Sequence, residues 1–537
     1  MPHGTPIMLR RLALALLLLA APLAPQAQTL RFAFQGEVGS LDPYALNETF
    51  TTAFLSAIYE PLVRRDATLA LEPGLAERWE RLSPTLWRFH LRREVRFHEG
   101  EAFTARDVVF SFERVRRPGS ALLARVVTIS AVRAVDAHTI EIETDGPDPT
   151  LLANLTNVLI MSRDWAERHG ATEPVDIRQR RDNHAARATN GTGPFRLVSH
   201  ESGTRTVLAR HAAWWDRMEG NLQDVVFTPI GSDPTRVAAL LSGQVDLAWP
   251  IPVQDVSRVE RAAGLRMIES LELRSIFLGL DQHRPELQHS DVRGRNPLAD
   301  ARVREAIHRA IDIGAIQRSV MRGKSRPTAL LSGPGIEGFD AALDAQRPGY
   351  DRARARALLT EAGYPDGFAL GMQCPNNRYV NDEAICQAVA AMLAQVGIRV
   401  TLAAEPAGPF FARAQRREVS FYMLGTTPPT YDAFSTLFGL AMCREEHVQG
   451  RPTLRGQGLF NHGGYCSAEV DEAVNAARTE LDPAARRAHF SRAWRRMMAD
   501  FAYIPLHQQY LSWGARQNVE LRARPDDVLD LRYVSVR

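Results

Sequence analysis

Four cysteines, Cys374, Cys386, Cys443 and Cys466, all fall in the C-terminal half of the chain. An even number suits disulfides in an oxidising compartment, and the pairs nearest in sequence, Cys374–Cys386 and Cys443–Cys466, are the first expectation among three connectivities. A metal site is the rival reading. It lacks both a C-x-x-C spacing and a histidine at ligand spacing, so no metal is expected; free buried thiols are the remaining reading. Catalytic patterns fare worse. Gly323-Lys324-Ser325 has the end of a phosphate-binding loop, but Arg318 stands where its first glycine belongs, and a helical pattern precedes it instead of a strand. No G-x-S-x-G elbow and no H-E-x-x-H pair occurs. His98 and Glu99 are adjacent in a turn-like context, while His211, His283, His308, His447, His462, His489 and His507 are dispersed. The expectation is a protein without catalytic residues or cofactor.

Composition narrows the class further. Lys+Arg 65 against Asp+Glu 62 leaves +3, too little to build a field for a polyanion, so no nucleic-acid partner is expected. Lys324 is the only lysine, and arginine is spread along the whole chain instead of being gathered in a patch. At roughly 100–200 residues per domain the length predicts about three domains. One stretch, 12–23, is strongly apolar and follows Arg10 and Arg11, with an alanine-rich segment behind it. This is the pattern of a secretory signal cleaved after Ala27, too short for a span of about 20 residues. No cysteine lies near that point, so the exported protein is not expected to carry a lipid anchor.

The elements that must position any site are mixed. Leu30, Phe32 and Phe34 alternate, which predicts an opening strand that ends in a turn at 36–40. A helix is expected around 51–59. Trp87, Phe89 and Leu91, then Val95 and Phe97, read as a hairpin; 104–115 reads as a helix capped by Thr104, with Asp107 in its first turn. After a polar stretch at 167–190, Gly191-Thr192-Gly193-Pro194 precedes two strands, 195–198 and 204–210. Asp300 begins a helix whose apolar Val303, Ala306, Ile307, Ala310 and Ile311 share one face. Further helices are expected before Gly363, over 384–396 ahead of a strand at 398–402, and after Asp482-Pro483. Strands and helices alternate without a visible linker, which fits interwoven α/β domains. Trp214, Trp215 and Trp249 are read as core.

Several segments together carry a resemblance. They are Leu41-Asp42-Pro43, Tyr59-Glu60-Pro61-Leu62-Val63, Pro73-Gly74-Leu75-Ala76-Glu77-Arg78-Trp79, Val95-Arg96-Phe97-His98-Glu99-Gly100, Gly191-Thr192-Gly193-Pro194-Phe195 and Leu241-Ser242-Gly243-Gln244-Val245-Asp246-Leu247. The run from Asn296 to Ala306, Ala362-Gly363-Tyr364-Pro365-Asp366-Gly367-Phe368 and Ile504-Pro505-Leu506 continue it. In order and spacing the chain resembles the family 5 extracellular solute-binding proteins of ABC transporters, the peptide/nickel type that includes dipeptide- and oligopeptide-binding proteins. The resemblance implies an α/β fold of two lobes joined by two crossing strands, the large form of the type II periplasmic binding protein fold with an inserted subdomain. After the signal segment 1–27, it implies lobe one over 28–272 with the insertion at 61–189, lobe two over 273–504, and a return to lobe one over 505–537. It also places all four cysteines in lobe two.

The implied function is periplasmic capture of a peptide or peptide-like solute between the lobes and its delivery to membrane permease subunits by a monomeric binding protein. A nickel chelate, an oligosaccharide or an opine-like molecule on the same scaffold is the alternative, and a secreted hydrolase the reading from a different class. Peptide-binding members place an aspartate for the ligand ammonium a few residues after a Gly-Trp pair. Here the corresponding loop reads Leu424-Gly425-Thr426-Thr427-Pro428-Pro429-Thr430-Tyr431-Asp432. Thr426 stands in for the tryptophan, so Thr427, Tyr431 and a shifted Asp432 are the candidate contacts. Glu37, Val38, Gly39 and Ser40, in the loop after the first strand, occupy a cleft-lining position in the family. Arg378 and Tyr379, with Arg274 near the crossover, are the candidates for an anionic end of the ligand, because a guanidinium fork bonds both carboxylate oxygens.

Overall fold

A computed structural model describes residues 28–177, 179–448, 453–454 and 456–537. The expected signal segment and its cleavage point lie outside the described residues. Among these residues no helix is long and apolar enough to cross a membrane.

Two long strands, Leu265–Leu280 and Ile504–Arg516, run antiparallel to each other and organise everything else. Their pairing is continuous from Leu265↔Arg516 to Leu271↔Tyr510, lapses, and resumes at Ser275↔Gln508. On one side of the lapse the second strand pairs with Leu247–Trp249, which is followed in sheet order by Thr29–Phe34, Asp224–Pro229, Arg205–Arg210 and Phe195–Glu201. On the other side, residues 275–280 of the first strand pair with Phe421–Thr426, followed by Phe368–Pro375 and Ile398–Glu405. One hydrogen-bonded sheet therefore serves two lobes. Each lobe fills its faces with its own apolar core, because side chains alternate across a strand and both faces need covering.

In the first lobe Phe32, Phe50, Phe54 and Phe227 pack around Trp249, which lies flat on Trp513 with ring centroids 4.3 Å apart. A separate four-stranded sheet, Ala76–Ser83, Leu86–Leu91, Thr139–Thr144 and Ile129–Asp136, adds Phe89, Ile140 and Ile142 to that same core. Residues 95–97 are not the second arm of a hairpin. Leu86–Leu91 pairs instead with Ala76–Ser83 and Thr139–Thr144, while the chain at Glu94 takes a positive φ of 64° and turns at Phe97–Glu101. Trp214 and Trp215 both donate their indole N–H to the Glu60 carboxylate, at 3.2 and 2.7 Å.

Helix starts follow the side chains that can satisfy free N–H groups. Thr104 and Asp107 form a capping box on Ala105–Val115, Asp300 caps Ala301–Ala310 and Asp482 caps Pro483–Ala499. The early helix, Thr49–Leu55, starts sooner than expected because Glu48 caps it by accepting from Phe50 and Thr51 N–H, and it ends before Ser56. Gly363, with φ of 87°, ends the helix Arg352–Glu361 in the left-handed conformation that glycine takes without a Cβ clash.

The structure joins Cys374 to Cys386 and Cys443 to Cys466. The first bond ties the end of Phe368–Pro375 to the helix Asp382–Ala394 and so closes the loop at 376–381. Cross-links over loops of this size stabilise by about 3 kcal/mol, chiefly by restricting the unfolded chain.

Candidate functional site

Where the two crossing strands lose their register, the lobes part into a cleft of about 1530 Å³ walled by both of them. The lapse turns Glu272 and Arg274 out of the ladder and into the cleft wall, with Arg274 Nε donating to Glu272 Oε1 at 2.8 Å. From the far lobe the loop 376–381 brings Arg378 and Tyr379. Their backbone N–H groups both donate to Asp382 Oδ2, at 2.9 and 3.0 Å, so the loop is held by a carboxylate on one side and a disulfide on the other. The Tyr379 hydroxyl accepts from Gly425 N at 2.9 Å, which docks this loop on the strand Phe421–Thr426.

The cleft wall holds cations without carboxylate partners. Among the described residues Arg378 makes no ion pair; it is exposed on the cleft surface, and partial desolvation between the lobes, then the neighbouring Arg274, hold its pKa below the usual guanidinium value. Arg125, on the first lobe, donates among the described residues only to Asn47 Oδ1, at 3.0 Å, and burial pulls its pKa down to about 10. A guanidinium in a cleft wall without an anion gains from one, because the charge-assisted bond strengthens as the cleft closes over it and water is excluded. A different end of the cleft is apolar: Phe411, Leu440, Leu459 and Phe460 line it, and Leu459 and Phe460 are 57% and 54% exposed.

The residues expected from sequence divide. Arg274, Arg378, Tyr379, Thr427 and Tyr431 line the cleft. Tyr431, however, already has partners: its hydroxyl donates to Asp526 Oδ2 at 2.8 Å, and Arg65 sits 4.3 Å over its ring while bonding Thr430 O. It works as a contact between the lobes. Thr427 Oγ1 is buried without a hydrogen-bond partner among the described residues. Glu37, Val38, Gly39 and Ser40 are not in the lining; the cleft meets that loop at Gln35 and Gly36, after which Val38 turns into the core and Ser40 Oγ accepts from Asp42 N. Asp432 is outside the lining too. It caps a helix by accepting from Phe434 N at 2.9 Å, and both of its oxygens are taken by the Arg486 guanidinium. Three of its roughly four acceptor sites are spent inside the fold and the residue is buried, so it is not presented to a ligand.

Sequence reading missed Glu48, Arg125, Glu272 and Asp527, all of which line the cleft. Glu272 stands two residues before Arg274, a spacing that puts both on one face of a strand, and Asp527 follows Pro525-Asp526 in a turn-forming run. Among the described residues no group of three or more His, Cys, Asp or Glu side chains is arranged to hold a metal ion.

Two lobes, two crossing strands and a charged cleft between them define a solute-binding protein. Residues 70–446 match the family described as bacterial extracellular solute-binding proteins, family 5 Middle, and the chain belongs to that family. It is 25% identical over 484 residues to the glutathione-binding protein GsiB of Salmonella choleraesuis (strain SC-B67), covering 87% of this chain and 86% of that one. Among solved structures it is similar to the ABC transporter-associated periplasmic binding protein DppA from Helicobacter pylori in complex with peptide STSA, at 23% identity and a TM-score of 0.75, over 95% of this chain and 98% of that one. It is similar as well to the binding protein AgaA of A.tumefacien R10 in complex with agropinic acid, at 21% identity and a TM-score of 0.73, over 95% and 99%.

Proposed function

We propose that the protein captures a peptide or peptide-like solute between its lobes in the periplasm and hands it to the permease of an ABC importer. The observation that carries this reading is the set of cleft cations, Arg378 above all, that stand without carboxylate partners at the mouth of a cavity large enough for a short peptide. A carboxylate end would bond the Arg378 fork, and side chains would reach the apolar end at Phe411, Leu459 and Phe460. The GsiB and DppA relationships support a peptide of this kind. In this reading the chain is exported on the signal at 1–27, carries no lipid anchor and acts as a monomer. Lobe one (28–272 and 505–537, with the insertion at 61–189) and lobe two (273–504) move as bodies about the register lapse at 272–274. Ligand contacts to both lobes favour the closed form by their differential affinity, and a micromolar ligand supplies about 8 kcal/mol.

Mass spectrometry of small molecules released by denaturing the purified mature protein tests it, together with thermal-shift titrations of glutathione and tripeptides. Bound peptides that are lost in Arg378→Ala are the expected result. Release of a single non-peptide species, with no response to any peptide, would overturn the peptide assignment. A second ligand class, an opine-like molecule such as the agropinic acid bound by AgaA, is favoured by one observation: the loop aspartate Asp432 is committed to Arg486.

A further inference from the structure

Opposite Arg378 the cleft carries two acids that each keep an oxygen open. Glu272 is 4% exposed; its Oε1 takes the Arg274 bond, while its Oε2 is buried and has no hydrogen-bond partner among the described residues. Asp527 lies beside it in a left-handed backbone conformation, φ 62°, and its Oδ1 is likewise buried without a partner. Both residues line the cleft. A buried acceptor left open costs about 1–3 kcal/mol, and more when it is charged, so two of them together in one wall need a reason.

We propose that Glu272 and Asp527 form a cation subsite at the hinge which holds the ammonium, or another small basic group, of the bound solute. The proposal rests on the cleft being the solute site. Arg274 faces Asp527, but its Nε is bonded to Glu272; the neighbouring acids are engaged elsewhere, Glu48 on its helix cap and Asp526 on Arg524 and Tyr431. Arg378 stands across from Glu272 and Glu48, on the other lobe. Three carboxyl groups, on Glu48, Glu272 and Asp527, thus lie at the Arg274 end of the cleft, while Arg378 stands at the other end with no carboxylate bonded to it. A zwitterion laid along the hinge matches both ends.

The same arrangement sets a proton balance. Burial, then Glu272, with Asp526 and Glu48 adding and Arg274 opposing, raises the Asp527 pKa well above the usual carboxylate range. An arriving ammonium favours the carboxylate, so Asp527 gives its proton to solvent as the ion pair forms, and affinity rises with pH across its titration. Geometry places the subsite on the crossing strand and on the first lobe, so it reads the ligand's amine in the part of the molecule that bends.

Two probes separate this inference from the peptide reading. Calorimetric titration with trialanine and with N-acetyl-trialanine, in buffers of different ionisation enthalpy, reads affinity and proton release together. The free tripeptide should bind more tightly by about thirtyfold, the low end of the cost of losing a buried charge partner, and should release a proton. In Asp527→Asn both the preference and the proton release should vanish, while Arg378→Ala should weaken both peptides alike. The second probe is n-butylammonium alone, followed by thermal shift, which asks about the subsite even for a protein that binds no peptide. It should stabilise the wild type at millimolar concentration and not Asp527→Asn. Equal affinity for the two peptides, proton release that persists in Asp527→Asn, or no wild-type response to butylammonium would each overturn the subsite. A butylammonium response without peptide binding would instead retain it and reject the peptide ligand.

Discussion

Two regions of this protein bury carboxylates beside guanidinium groups, and they are built to opposite ends. In the first lobe Asp42 and Arg114 are fully enclosed and meet in a two-pronged pair at 2.8 and 2.6 Å. Every remaining group is used: Val175 N and Tyr44 N donate to Asp42, and Arg114 donates to Ala171 and Glu173 carbonyls. At the hinge, Glu272 and Asp527 hold oxygens that nothing in the protein satisfies, and Arg378 waits without an anion. The complete cluster is structural, because its partners were brought together by folding. The incomplete one costs stability and is explained by a partner that comes from solution. Asp432 belongs with the first kind, although its position in the chain suggested the second.

The comparison breaks most visibly at the complete cluster. Asp42→Ala leaves a buried arginine without its anion and is expected to destabilise the protein by about 3–5 kcal/mol in urea unfolding. Asp432→Ala strands Arg486 in the same way and should show a similar loss, with ligand affinity retained by the folded protein. A loss of affinity without a loss of stability would move Asp432 into the site.

At the incomplete cluster the sign reverses. Asp527→Asn is expected to stabilise the ligand-free protein by about 1–3 kcal/mol at pH values above the folded Asp527 pKa, because an open buried carboxylate is replaced by a neutral group that can also donate. The gain has a pH signature. The folded Asp527 pKa is raised, so its stability contribution is present below the unfolded value of 3.8 and lost as pH rises through the folded pKa; the advantage of the variant should therefore shrink toward pH 4. Unfolding curves from pH 8 to 4 check this.

A slope of opposite sign comes from two buried histidines. Burial, and then the nearby Arg347, hold His308 and His507 neutral with pKa values pushed down to about 3. The unfolded chain takes up those protons near pH 6.5, so stability is full above that value and falls as pH drops toward 3, by up to about 1.4 kcal/mol per histidine per pH unit. His507→Asn should flatten the thermal-stability profile between pH 6.5 and 5 and leave the Asp527 effect in place.

How much was legible in the chain follows from how local each feature is. Caps at Thr104, Asp300 and Asp482 and the stop at Gly363 depend on bonds spanning a few residues, and they stand where the sequence pattern put them. Val95 and Phe97 misled because alternation over three residues cannot tell a strand from a turn whose side chains dive into a core. The site was half legible. Arg378 and Tyr379 lie between a strand end and a helix start, a local arrangement. Glu272 and Asp527 are 255 positions apart by number, and no local pattern pairs them.

The sequence alone settled the elements, their caps and the likeness to family 5, because each rests on residue types at short or ordered spacing. Only the tertiary structure decided which acids are spent and which are open. Asp432 finds Arg486 across 54 residues, Asp42 finds Arg114 across 72, and Asp527 finds no cation of its own. Whether a buried charge is satisfied depends on what the fold carries to within bonding distance, and that distance is set by packing between segments remote in the chain.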